Sequence, residues 1–108
     1  MSPTISLPSF LALTVLLANA VHGEPADGQA LAQKYACMSC HAQAQKLVGP
    51  SFDAIKAKYA GNPKAVDALV AVVQKGGSGV WGPVPMPGNP QIPESDARTL
   101  VMWILGNK

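Results

Sequence analysis

The sequence predicts a small all-α domain of about four short helices, set behind an apolar N-terminal segment. Three observations carry that reading. No stretch sustains the period-two alternation of a half-buried strand. Four segments instead space apolar residues at helical intervals. The remainder is rich in Gly and Pro, ten of each among 108 residues, which suits loops and breaks helices and central strands.

The N-terminal segment comes first. Residues 1–23 contain no Asp, Glu, Lys or Arg, and Phe10 to Ala18 reads FLALTVLLA. Ala18-Asn19-Ala20 follows, small residues where a signal peptidase needs them. We read residues 1–23 as a signal peptide, cleaved after Ala20 or Gly23, and residues 24–108 as the mature domain. Met1 to Ser9 lacks the usual Lys or Arg. The apolar run is too short to cross about 30 Å of hydrocarbon, which needs about 20 residues, so stable membrane insertion is not expected. A chain retaining this segment would instead be an anchored subunit. The formal net charge is only +2, too little to neutralise many phosphates, so nucleic acid is not an expected partner. A domain this small buries a thin core and needs a further stabiliser: a metal, a disulfide or a cofactor.

Each helix has its own signals. The first spans about Asp27 to Tyr35, with Asp27 near its positive end and Ala30, Leu31 and Tyr35 near one face. The second spans about Asp53 to Tyr59; Ser51 is its candidate N-cap, and Phe52, Ile55 and Tyr59 share a face. The third has Asn62 as cap, Pro63 at its first position and Gly76 after its last turn. Its Val66, Leu69, Val70 and Val73 recur at i, i+3, i+4 and i+7. The fourth runs from near Pro93 to about Gly106, with Ala97, Leu100, Val101 and Ile104 on one face and Trp103 alongside.

Two regions do not fit helical spacing. One is Lys46 to Ser51; the other is Gly76 to Pro93, GGSGVWGPVPMPGNPQIP, with five Gly and five Pro. A long irregular segment in so small a domain is functional or disordered. Val80, Trp81, Val84, Met86 and Ile92 are spaced along it as a disordered linker seldom spaces apolar groups.

The chemistry concentrates in Cys37-Met38-Ser39-Cys40-His41. C-x-x-C-H is the attachment signature of c-type haem. Two thiols three positions apart reach both vinyl groups of one porphyrin edge, and the following His falls beneath the iron. A thioredoxin-like pair would need a βαβ setting; zinc would have only Cys37, Cys40 and His41 as ligands; a plain disulfide is compatible with export. A haem iron also needs a sixth ligand or an open site. His22 lies at the cleavage border, and Met38 lies inside the motif. Met102 reads as helix packing. Met86, stiffened between Pro85 and Pro87, is the candidate that could hold a thioether in place. Its alternative role is a gap-filling core residue.

On these motifs, CMSCH, KLVGPSFDAI, GGSGVWGPVPMPGN and the terminal LVMWIL, the chain from about Asp27 to Lys108 resembles the small bacterial class I cytochromes c. These are the single-haem, His/Met-ligated carriers that deliver electrons to nitrite reductase or terminal oxidases. The resemblance implies the class I cytochrome c fold, with helices wrapped around one covalent haem c. It implies thioethers from Cys37 and Cys40 and axial iron ligation by His41 and Met86. It further implies that the Pro50 carbonyl accepts from the His41 ring N–H, that the Trp81 indole N–H meets a haem propionate, and that the Asn89 amide lies near the Met ligand and a propionate. Where the family carries a basic residue on the third helix, this chain has Val72 and Val73. The functional expectation is a periplasmic, monomeric one-electron carrier of a respiratory chain and not an enzyme. Its partners would be redox proteins: a nitrite reductase, cytochrome oxidase, bc-type complex or peroxidase. Lys34, Lys46, Lys56, Lys58 and Lys75 are available to steer such a partner. The alternative is a haem sensor or small peroxidase with a displaceable sixth ligand.

Overall fold

A computed structural model describes residues 1–12, 14 and 25–106. Ala20, His22, Gly23 and Lys108 lie outside the described residues.

Four helices form where sequence spacing places them, with ends set by local chemistry. Helix α1 covers Pro25–Lys34, with proline at its first position, Asp27 in its first turn and Lys34 in its last. A 3-10 turn at Cys37–Ser39 follows. Helix α2 covers Phe52–Tyr59, and its N-cap is Ser51, whose Oγ accepts from the Ala54 N–H at 3.0 Å. Helix α3 covers Ala65–Lys75, starting later than its cap signal suggests. The Asn62 side chain closes a turn of its own by accepting from the Lys64 N–H at 2.9 Å, so Pro63 sits in that turn and not in the helix. Helix α4 covers Glu94–Ile104, with acidic Glu94 and Asp96 in its first turn.

The expectation that strands are absent is corrected between α3 and α4. Strand β1, Gly77–Gly79, pairs antiparallel with β2, Gly82–Met86, placing Gly77 opposite Met86 and Gly79 opposite Gly82. The hairpin escapes sequence detection because neither strand has a buried face, so no alternation is written into it. Both strands are edges, which is where Pro83 and Pro85 are tolerated. The architecture remains four helices with one small hairpin.

Helix α4 is the hub, packing against α1 and α3 and touching α2. Its Ala97 and Val101 join Val70, Val73 and Ile92 in the buried core, with Tyr35, Leu69 and Met86 packed at the margin. On its other side Trp103 meets Phe52 edge-on, with ring centroids 5.5 Å apart. Gly28 of α1 lies so close that a Cβ there would collide with the Trp103 side chain, so only glycine permits this helix crossing. The Tyr35 hydroxyl donates to Asp96 at 2.6 Å and ties the end of α1 to the start of α4.

Candidate functional site

The CMSCH segment leaves α1 through Ala36, held in the left-handed region at φ 57° and ψ 30°. That conformation costs alanine about 1–2 kcal/mol and turns the chain sharply into the motif. The Ser39, Cys40 and His41 backbone N–H groups then donate back to Ala36 and Cys37 carbonyls at 3.0–3.2 Å. The motif is thereby wound into one tight turn. Cys37 and Cys40 form no disulfide and are half-buried, and burial pushes the Cys37 thiol pKa up. That shift favours the neutral thiol over the thiolate.

His41 is buried and held from three sides. Its Nδ1 lies 2.7 Å from the Pro50 carbonyl oxygen. A carbonyl is acceptor-only, so the proton sits on Nδ1 and the Nε2 lone pair is left free. Among the described residues Nε2 has no hydrogen-bond partner, and no unpartnered side-chain nitrogen or oxygen is sealed inside the protein. Nε2 therefore opens to the outside. The ring stacks on Phe52 at 5.4 Å between centroids and 20° between planes. Gly49 covers the imidazole so closely that a Cβ there would lie 2.6 Å from His41 Cε1. Sequence reasoning singled out Pro50 but missed Gly49 and Phe52 in these roles. The signal was present: a Gly-Pro pair directly before a capped helix whose first residue is aromatic.

Met86 ends strand β2 and is half-buried, packed at the edge of the α3–α4 core. Backbone fit positions it. Gly76 has φ 78°, and a Cβ there would lie 2.5 Å from the Met86 carbonyl oxygen and 2.7 Å from the Gly88 nitrogen. A Cβ on Gly88 would lie 2.7 Å from the Lys75 carbonyl carbon. Glycine at both positions lets the returning chain lie directly on the end of α3. Asn89 locks that return: its backbone N–H donates to the Val73 carbonyl at 3.0 Å, and its side-chain amide donates to the same oxygen at 3.1 Å and to Pro87 at 3.3 Å. Asn89 is thus tied to α3 and to the Met86 loop. Trp81 is the second residue of the hairpin turn and 42% exposed, with the Lys58 Nζ 5.3 Å from its ring centroid.

The profile of the family "Cytochrome c" matches residues 25–108. The chain belongs to the cytochrome c family. It is 48% identical over 81 residues to cytochrome c-551 of Azotobacter vinelandii, covering 75% of this chain and 98% of that one. It is 39% identical over 103 residues to cytochrome c-551 of Pseudomonas aeruginosa, covering 95% and 96%. The crystal structure of Nitrosomonas europaea cytochrome c552 superposes with a TM-score of 0.71 at 42% identity, covering 74% of this chain and 99% of that one. The fold is therefore that of the small class I cytochromes c. As a member of this family the protein is an electron carrier and not an enzyme, and it works on redox partners through a covalently bound c-type haem.

The residues present suit that group. Two cysteine thiols lie beside a buried imidazole whose Nδ1 is committed and whose Nε2 is open. Among the described residues from 25 onward, the exposed large apolar side chains are Met38, Leu47, Val48, Val80, Trp81 and Val84. In sequence they lie within or near the CMSCH segment, or in the hairpin that ends in Met86, and an apolar macrocycle there would cover exposed apolar surface. No helix among the described residues is long and apolar enough to cross a membrane.

Proposed function

We propose that the protein is an exported periplasmic one-electron carrier whose haem would be held by thioethers from Cys37 and Cys40 and ligated by His41 and Met86. The single observation that carries this reading is the committed Nδ1 of His41. A histidine whose one nitrogen donates to a carbonyl offers the other as a fixed, more basic donor. The bound haem supplies a one-electron ferric–ferrous couple, raised in potential by Met/His ligation.

The chain's own residues do the rest. Pro50, Gly49 and Phe52 hold the imidazole in one orientation, so it need not reorganise as the charge changes. Gly76, Gly88 and Asn89 hold the Met86 strand on α3. With His41 and Met86 both holding the haem iron, no site would be open to substrate. The family likeness supports His41 and Met86 as ligands, Trp81 as donor to a propionate, and nitrite reductase or oxidase-type acceptors. The uncharged residues 1–23 support export, with cleavage after Ala20 or Gly23 and a mature domain of residues 24–108. Docking would be weak and brief, as redox encounters are.

The test is carbon monoxide added to the native reduced protein. A carrier with Met86 bound shows no spectral change. Ready carbon monoxide binding would favour the sensor or small-peroxidase reading, in which the sixth ligand is displaceable. N-terminal sequencing of the exported protein gives Val21 or Glu24; Met1 would contradict cleavage and point to an anchored subunit.

A further inference from the structure

The two sides of the site are tied together at one exposed point that neither ligand uses. Lys58 stands on α2, the helix that follows Pro50 and Ser51 on the His41 side. Trp81 stands at the tip of the hairpin that ends in Met86. The Lys58 ammonium lies 5.3 Å from the Trp81 ring centroid, within range for attraction to the face of an indole. The root of the hairpin is fixed to α3 through Gly76, Gly88 and Asn89. Its tip turns through Val80 and Trp81, both exposed, between glycines of positive φ at Gly79 and Gly82. The hairpin is thus held at its root by α3 and at its tip by α2, and Met86 closes the root end of β2, opposite Gly77. The contact uses the indole face and leaves the edge Nε1–H free to donate elsewhere.

We infer that Lys58 is a positioning residue: its contact with Trp81 straps the hairpin tip to α2 and so sets how readily Met86 leaves its ligating position. This rests on the proposed ligation by His41 and Met86. It concerns the closed state of the strand and not the docking of partners.

Imidazole added to the ferric holoprotein tests the strap. An imidazole nitrogen bonds to iron as the Met86 sulfur leaves, with no electron transferred and no other bond broken. The reading is the limiting binding rate at saturating imidazole, which is set by Met86 departure. Lys58→Ala is expected to raise that rate roughly two- to fivefold, the range a solvent-exposed cation–π contact supports. Lys58→Arg, which keeps a cation over the ring, restores the native rate. Adding Lys58→Ala to Trp81→Leu produces no further change. A general loss of packing would not be rescued by arginine and would not vanish in the Trp81→Leu background. A Lys58→Ala rate equal to the native one, or a Lys58→Arg rate as fast as Lys58→Ala, overturns the strap while leaving the ligation intact. If the native ferric protein lacks the far-red band of sulfur bound to iron, the ligation reading fails, and the strap with it.

Discussion

At His41 the neighbours hold the side-chain ring itself; at Met86 they hold the main chain. Around His41 a carbonyl fixes one ring nitrogen and Phe52 stacks on the ring, while Trp103 backs Phe52 against Gly28 of α1. Around Met86 the fixing contacts are main chain lying on main chain, permitted by Gly76 and Gly88 and locked by Asn89. Helix α4 serves both, through Trp103 on one face and Ala97 and Val101 on the other. The difference has a functional sense. As a proposed ligand one tight turn from Cys37 and Cys40, His41 needs only its ring orientation set. Met86, the second proposed ligand, lies about 45 residues further along the chain and needs its whole strand placed, and glycine-permitted backbone contact does that without a large core.

The comparison predicts that the two sides fail differently. Phe52→Ala removes one of the largest fully buried side chains and is expected to cost about 3–5 kcal/mol in denaturant unfolding. The far-red sulfur–iron band should persist in the folded fraction. Gly76→Ala forces a Cβ into the Met86 carbonyl at positive φ and should cost about 2–4 kcal/mol, with that band weakened or lost in protein that is still folded. If Phe52→Ala loses the band and Gly76→Ala keeps it, the division between the two sides is wrong.

Asn89→Ala sharpens the same contrast. It removes the side-chain hydrogen bonds to the Val73 carbonyl of α3 and to the Pro87 carbonyl of the loop and should cost about 1–2 kcal/mol, with faster displacement of Met86 by added imidazole. Full stability loss without faster displacement would make Asn89 a support for α3 alone.

The smallest effect belongs to neither side. The hydrogen bond to Asp96 raises the Tyr35 pKa above its usual value near 10, with further contributions from burial and the Asp96 charge. A raised tyrosine pKa means that the fold prefers the protonated hydroxyl. The contribution is therefore complete below about pH 10 and is lost as pH rises through the folded value. Tyr35→Phe should flatten that alkaline limb of the stability profile while leaving the far-red band unchanged.

The two sides were also unequally legible in the sequence. The four helices could be read because each buries one face, and CMSCH could be read because thioether spacing is a five-residue local pattern. Ser51 as cap and Pro50 beside His41 followed from short-range chemistry. The hairpin could not be read as strands because most of its residues are exposed and three of its four paired residues are glycines. Gly49, Gly28 and Gly88 were missed because their function is an absence of Cβ at a long-range approach, which no periodicity records. The Lys58–Trp81 contact likewise joins residues of unrelated local patterns.

The most direct measurement is the ultraviolet–visible spectrum of the exported protein, ferric and then reduced, set beside that of Met86→Ala. The account predicts a sharp low-spin c-type spectrum with the far-red sulfur–iron band in the native protein, and loss of that band in Met86→Ala with the covalent haem retained. A native spectrum that is high-spin, or a far-red band that survives Met86→Ala, would contradict it.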